Sequence, residues 1–134
     1  MIRLSRLTDY GIVVMSHMAA EQQSILTARE LSKRSSLPLP TVSKVLKLLS
    51  KAELIESHRG VKGGYQLARA PEQICITDMI EAFEGPIAVT DCSAGSAHLC
   101  QIDGRCPVKN HWQKINLAVR GALSNMTLKD MSAV

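Results

Sequence analysis

The sequence lacks the features that would place the chain in a membrane or among secreted domains held together by disulfide bonds. Its 134 residues contain no apolar run that approaches the roughly 18 residues of a membrane-spanning helix. The first residues lead into an apolar pattern interrupted by polar side chains, unlike the core of a signal peptide. We therefore expect a cytoplasmic protein with no membrane partner, whose thiols stay reduced.

Motifs that support catalysis are also missing. The sequence has no phosphate-binding loop, no Cys-x-x-Cys pair, no nucleophile elbow and no pair of carboxylates in a pattern that forms a cleft. It also has no internal repeat and no low-complexity tract. These absences predict that the protein is not an enzyme.

The composition predicts one packed domain with three zones of different character. Hydrophobic residues make up 46% of the chain and charged residues 21%, which is typical of a globular domain. Lysine and arginine number 16 against 12 acidic residues, and the net charge of +4 favours a polyanionic partner. Apolar periodicity is dense over 1–84, while 85–106 is rich in Gly, Ser, Pro, Asp and cysteine, and helical spacing returns over 107–131.

The first zone predicts three helices. Apolar residues at helical spacing indicate a helix over residues 8–21, and a capping box from Thr27 to Glu30 starts a short helix that ends near Arg34. Pro40 suits the first position of a third helix. This third helix has an apolar stripe, formed by Val42, Val45, Leu46 and Leu49. Its other face is polar and basic, and carries Thr41, Ser43, Lys44, Lys47 and Lys51.

A β-hairpin is predicted to follow. Residues 54–57 and 65–68 alternate in polarity around a glycine-rich tip that carries Arg59 and Lys62. One more helix begins at Thr77 and is stopped by Gly85 and Pro86. Three helices followed by a hairpin is the order of a winged helix-turn-helix. The expected fold is therefore mainly α, with a small β-hairpin wing and a long carboxy-terminal helix.

The order of these elements favours binding to double-stranded DNA. A helix fits the major groove, where Lys44 and Lys47 would neutralise phosphates, and Arg59 and Lys62 on the wing would approach the minor groove. Taken alone, the basic helix is equally consistent with a solvated face and the hairpin with an ordinary turn. Together they predict that 1–84 is a DNA-binding region.

An apolar stripe in the third zone predicts a dimer. Trp112, Ile115, Val119, Ala122 and Leu123 recur along a helix expected over residues 107–125. This stripe suits a symmetric seam between two copies, which would bind a near-palindromic operator. The alternative is that Trp112 packs within its own chain. We expect 107–134 to form a dimerisation helix and tail.

Three of the four cysteines lie close together. Cys92, Cys100 and Cys106 fall within a hydrophilic stretch, so 85–106 is expected to be a sensor loop. Thiolates prefer zinc or iron–sulfur clusters, but the spacing matches neither a zinc knuckle nor a ferredoxin run. A metal centre, a thiol redox switch and incidental cysteines therefore all stay open. Cys75 lies between two isoleucines and is expected in the core.

The fourth ligand of such a metal centre is not evident from spacing. His111 lies on the predicted carboxy-terminal helix, His98 lies within the cysteine-bearing stretch, and Asp9 lies on the first helix. Asp9 could reach the cysteines of the other subunit if the dimer crosses over.

Several motifs resemble the winged-helix regulators of the IscR/NsrR type, the Rrf2 family, over almost the whole chain. The opening residues 4–10 (LSRLTDY) are similar to the family's opening, and residues 59–68 (RGVKGGYQLA) to its most distinctive motif. Cys92, Cys100 and Cys106 occupy the family's three ligand positions, and Trp112 follows as in the family. Residues 84–92 and 106–108 resemble the branch that regulates SUF iron–sulfur assembly genes.

The resemblance implies a homodimer that binds an iron–sulfur cluster in each subunit and represses or activates promoters according to the state of that cluster. A 2Fe–2S cluster is favoured over 4Fe–4S. The resemblance places base and phosphate contacts on Thr41, Ser43 and Lys44, and a wing contact on Arg59.

The resemblance also implies a fourth cluster ligand besides the cysteines. The position of a histidine ligand in IscR is occupied here by Lys109, whereas the aspartate ligand of NsrR, donated across the dimer, matches Asp9. We therefore prefer Asp9 over His111 as the fourth ligand.

Overall fold

Helices dominate the computed structural model, which describes residues 3–90, 105 and 107–132. The helices are α1 (Arg6–Ala20), α2 (Ala28–Ser35), α3 (Leu39–Lys51), α4 (Ile76–Glu84), α5 (Lys109–Ser124) and α6 (Leu128–Ser132). Strands β1 (Ile55–His58) and β2 (Gly64–Leu67) pair antiparallel, and a short 3-10 helix covers Pro71–Gln73. The expected fold, mainly α with a hairpin wing and a carboxy-terminal helix, is confirmed.

The start of α1 is tied to the end of α4. The Ser5 hydroxyl accepts a hydrogen bond from the Thr8 backbone N–H at 3.2 Å, so α1 begins at Arg6, two residues earlier than expected. The Ser5 backbone N–H in turn donates to the Glu84 carboxylate at 2.9 Å. The amino-terminal cap of one helix is therefore joined to the last residue of another.

Local signals in the sequence account for α2 and α3. The predicted capping box is present: the Glu30 N–H donates to the Thr27 hydroxyl at 3.1 Å, and the Thr27 N–H donates to the Glu30 carboxylate at 3.3 Å. Pro40 is the second residue of α3 rather than the first, because the helix begins at Leu39. The proline is still tolerated there, since amides of the first turn have no partner within the helix.

The core is built around the apolar face of α3, as expected. Its four stripe residues are fully buried, together with side chains of α1, α2, α4 and α6. The Glu21 carboxylate, just after α1, accepts a hydrogen bond from the Arg34 guanidinium of α2. This hydrogen bond raises the pKa of Arg34. The buried α3 residues are Val42, Val45, Leu46 and Leu49.

The chain after α5 folds back onto the core, whereas only a tail was expected there. Leu128 of α6 is fully buried, and its backbone N–H donates to the Ile74 carbonyl at 2.8 Å. The start of α6 is capped by Thr127 and Asp130, whose backbone N–H groups each donate to the other's side chain. This threonine–aspartate spacing is a sequence signal for a helix start, although five residues are too few for periodicity to reveal.

Cys75 is half-buried rather than a full member of the core. It immediately precedes α4, its N–H donates to the Asp78 carboxylate at 3.3 Å, and its backbone bridges to Thr127. The isoleucine on either side of it is buried, so the apolar stretch was read correctly but the cysteine side chain lies at its edge. At the other end of α4, Gly85 (φ +77°) stops the helix where expected.

Candidate nucleic-acid interface

The outer face of α3 is exposed and basic. Because the four apolar residues of the helix point into the core, Ser43, Lys44 and Lys47 lie on the solvent side, and Thr41 is half-buried beside them. None of these lysines forms an ion pair within the described part of the chain. Their positive charges are therefore available to a polyanion.

The wing presents two further cations at its tip. The strands pair from Ile55 with Leu67 to His58 with Gly64. Strand β1 begins one residue later than the expected 54–57, and β2 one residue earlier than the expected 65–68. A turn between them is closed by a hydrogen bond from the Gly63 N–H to the Gly60 carbonyl at 3.0 Å. Arg59 and Lys62 are exposed on this turn.

The wing is fixed to the loop before α2 by a contact that the sequence did not reveal. Leu26 forms an antiparallel bridge with Tyr65, in which the two backbone hydrogen bonds measure 2.9 and 2.7 Å. Gly64 makes this approach possible, since a Cβ at that position would lie 2.7 Å from the Leu26 carbonyl oxygen. The adjacent glycines of the wing were a signal for such close backbone contact.

A surface groove separates the wing from the start of α2. Thr27 and Ala28 form one wall, and the ends of both strands form the other, with His58 and Arg59 among them. Since the bridge at Leu26 holds the two walls together, Arg59 occupies a defined place relative to α2. The arrangement offers a concave surface with one cationic side chain, Arg59, which suits a phosphate backbone.

The proposed metal ligands are only partly within the described residues. Cys92, Cys100 and Cys106 lie outside them, and the convergence of their thiols on one metal centre stays a prediction. Asp9 is exposed on α1 and lines a groove with residues of the amino-terminal segment, Ile12 and Met131. Among the residues that the structure describes, no group of three or more His, Cys, Asp or Glu side chains could hold a metal ion.

Asp9 is open to an incoming group. Within the described residues its carboxylate has no hydrogen-bond or ion-pair partner, and the groove beside it opens to solvent. His111, the alternative ligand, is exposed in the first turn of α5. The two candidates therefore lie on different helices.

Most of the apolar stripe of α5 faces outward, while Val119 and Leu123 are half-buried on the side of their own subunit. Trp112 and Ile115 are 38% and 45% exposed, and of the five stripe residues only Leu123 packs against the core. Trp112 is therefore not fully buried, and the alternative that it packs within its own chain stays a prediction beside the dimer seam. None of the helices in the described ranges is long and apolar enough to cross a membrane.

Comparisons with known proteins agree with this architecture. The Rrf2 family, described as an iron-dependent transcriptional regulator, matches residues 4–133. The transcriptional regulator NsrR of Bacillus subtilis is 28% identical over 131 residues, which cover 97% of this chain and 90% of that protein. Two solved structures are also similar.

The first of these structures is CymR, the global cysteine regulator of B. subtilis, with a TM-score of 0.75 and 26% identity over 98% of this chain and 97% of that one. The second is IscR of T. potens, with a TM-score of 0.70 and 27% identity over 97% of this chain and 85% of that one. The basic helix, the wing and the family match over nearly the whole chain agree, and the protein belongs to the Rrf2 family of DNA-binding transcriptional regulators.

Proposed function

We propose that this protein is a homodimeric regulator that senses iron–sulfur cluster status through Cys92, Cys100 and Cys106 and controls the transcription of iron–sulfur assembly genes of the SUF type. The observation that carries the proposal is the position of the three thiols in the chain. They lie between α4, which belongs to the DNA-binding core, and α5, which carries the outward apolar stripe. A change at the thiols would therefore be placed to act on both helices.

In this proposal α3 reads the major groove. Thr41 and Ser43 contact base edges or sugar-phosphate oxygens near the start of the helix, while Lys44 and Lys47 neutralise phosphates. Arg59 and Lys62 of the wing lie along the adjacent minor groove, whose negative potential attracts arginine. The fixed contact between wing and α2 supports simultaneous engagement of both grooves.

The outward face of α5 supports the homodimer. The apolar residues recur at alternating spacings of four and three positions, which is the pattern of a coiled-coil seam. At about 1.5 Å per residue, the 16 residues of α5 span roughly 24 Å, long enough for several layers of packing. Two copies joined along this face would place their recognition helices about 34 Å apart on a near-palindromic operator. The seam residues are Val108, Trp112, Ile115, Val119 and Ala122, of which Val119 is half-buried beside its own subunit's α4.

The donor set fits an iron–sulfur cluster, with 2Fe–2S favoured. Thiolates are the ligands that iron–sulfur clusters prefer, and the exposed carboxylate of Asp9, which has no partner among the described residues, can supply a fourth ligand to the other subunit. His111 is the alternative. When bound, the cluster supplies a centre that oxidation or iron scarcity can change or remove. The cysteines hold the chain between α4 and α5 in one arrangement when they share that centre, and release it otherwise.

Anaerobic purification tests the proposal. We expect a coloured protein that contains iron and acid-labile sulfide, and a Cys92→Ser variant that loses both. Fluorescence anisotropy on a target promoter should give different DNA affinities for the loaded and cluster-free forms of the wild-type protein. Asp9→Ala should retain the fold but lose the cluster faster in air, whereas His111→Ala should not. A colourless, iron-free protein after attempted reconstitution would contradict the proposal.

A second candidate function uses the same cysteines without iron. The similarity to Staphylococcus aureus CymR, whose solved structures include an oxidised form, favours a response based on thiol oxidation, and a bound zinc ion is the other alternative. In that case metal analysis should find zinc or nothing, and DNA affinity should change reversibly with a mild oxidant and a thiol reductant. Iron and sulfide analysis of the same preparation separates the two candidates.

A further inference from the structure

One buried amide connects α5 to the chain that leads into the cysteine-bearing segment. Asn116 is the only buried residue of α5, with 7% of its surface exposed. Its side-chain oxygen accepts a hydrogen bond from the Val89 N–H at 2.9 Å, and its side-chain nitrogen donates to the Ile87 carbonyl at 3.0 Å. The side-chain oxygen and nitrogen of Asn116 therefore both form hydrogen bonds with the backbone of residues 87–89.

This contact is specific for one position of residues 87–89. A buried asparagine without partners is unfavourable, because its polar atoms lose their hydrogen bonds to water. Asn116 is satisfied only while the Val89 N–H and the Ile87 carbonyl lie opposite it. A leucine of similar size would tolerate a shift of the chain along the helix, whereas the amide does not.

Two further side chains of α5 make polar contacts with their own subunit among the described residues. Arg120 pairs with the Glu81 carboxylate, and the Ser124 hydroxyl lies 2.8 Å from that of Thr77. Asn116, Arg120 and Ser124 are four residues apart, so they form one row along the helix. Apolar contacts on this side come from Leu123, which packs against the core, and from half-buried Val119. The register of α5 is therefore fixed by the polar contacts, because apolar packing alone tolerates small shifts.

We propose that Asn116 is a positioning residue that latches residues 87–89 to α5 and thereby couples the cysteines to the outward face of that helix. Val89 precedes Cys92 by three residues, and Asn116 lies one turn beyond Trp112 on α5. A change at the cysteines that displaces residues 87–89 breaks both hydrogen bonds and frees α5 to shift. The coupling rests on the proposed function, but the latch itself can be measured without any cluster.

The first experiment uses reduced, metal-free protein with Asn116→Leu as the test variant and Ser124→Ala as the control. The control removes the hydrogen bond to Thr77 from the same row of α5 but leaves residues 87–89 untouched. In Asn116→Leu, we expect the Val89 amide to exchange its hydrogen about tenfold faster or more, and the alkylation rate of Cys92 to rise to a similar extent. Cys75, which precedes α4, provides an internal reference whose rate should not change.

The second experiment measures DNA affinity in the loaded and cluster-free forms. We expect the ratio of the two affinities to approach one in Asn116→Leu and to keep its wild-type value in Ser124→Ala. Asn116→Ala, which removes both hydrogen bonds without adding bulk, replaces the leucine variant if that variant does not fold.

The outcomes distinguish the latch from the proposed function. A wild-type protein whose DNA affinity ignores its cysteines contradicts the proposed function, while amide exchange and alkylation still report on the latch. Unchanged exchange at Val89 and unchanged alkylation of Cys92 in Asn116→Leu overturn the latch. If the wild type responds and Asn116→Leu responds equally, the latch is an anchor for the chain and the coupling is wrong.

Discussion

At the scale of single residues, the lysines on α3 show how exposure follows from neighbours in the same helix. Four buried apolar side chains fix the rotation of α3, and this leaves Lys44 and Lys47 in solvent with no acidic partner in the described ranges. Periodicity alone predicted this face correctly. The contacts of Asn116 and Leu26 were not predicted, because their partners are distant in sequence, and the glycines of the wing did not indicate which segment would approach them.

The exposed charge of Lys47 leads to a prediction about salt dependence. Lys47→Ala should weaken DNA binding to all sequences by a similar factor and reduce the slope of log affinity against log salt by about one. Lys129→Ala removes the same charge from α6 and should leave the slope unchanged. Titrations by fluorescence anisotropy at several salt concentrations measure both variants. Equal slopes for wild type and Lys47→Ala would show that this lysine does not contact a phosphate.

At the scale of elements, local signals determined most boundaries and tertiary contacts determined the rest. The capping box of α2, the glycine that ends α4 and the stripe of α3 appear where the sequence predicts them. The wing was predicted as a hairpin, but its docking through Tyr65 onto Leu26 was not. A short helix such as α6 escapes periodicity, because it buries a single side chain, Leu128.

The burial of Leu128 makes α6 a contributor to stability rather than a loose tail. Leu128→Ala should lower the free energy of unfolding by about 2–5 kcal/mol, since it leaves a cavity against the core. Met131→Ala shortens an exposed side chain of the same helix and should cost far less. Chemical denaturation of both variants measures the difference. Similar small losses would show that α6 does not pack as described.

At the scale of the whole molecule, α5 presents its apolar stripe away from its own core. Trp112 and Ile115 are both exposed and lie three residues apart on one face of α5, and adjoining exposed apolar side chains commonly mark an interface. Polar contacts, including Asn116, hold the other side of the helix. The helix therefore has one side for its own subunit and one for a second copy.

Disruption of the outward stripe should dissociate the proposed dimer. Ile115→Glu places a charge in the middle of the seam, so we expect a monomer by light scattering and a loss of specific DNA binding. Lys114→Glu introduces the same residue at the adjacent exposed position and should remain dimeric. A dimer of unchanged stability in Ile115→Glu would place the interface elsewhere.

The sequence by itself determined the local structure of this protein: the helix periods, the caps, the glycine-rich wing and the spacing of the cysteines. It determined these features because each depends on neighbours within a few turns of chain. Only the tertiary structure decided that the stripe of α5 points outward, that the wing docks on Leu26 and that Asn116 joins residues 87–89. Periodicity shows which side chains share a face, but what that face meets depends on how distant segments pack together.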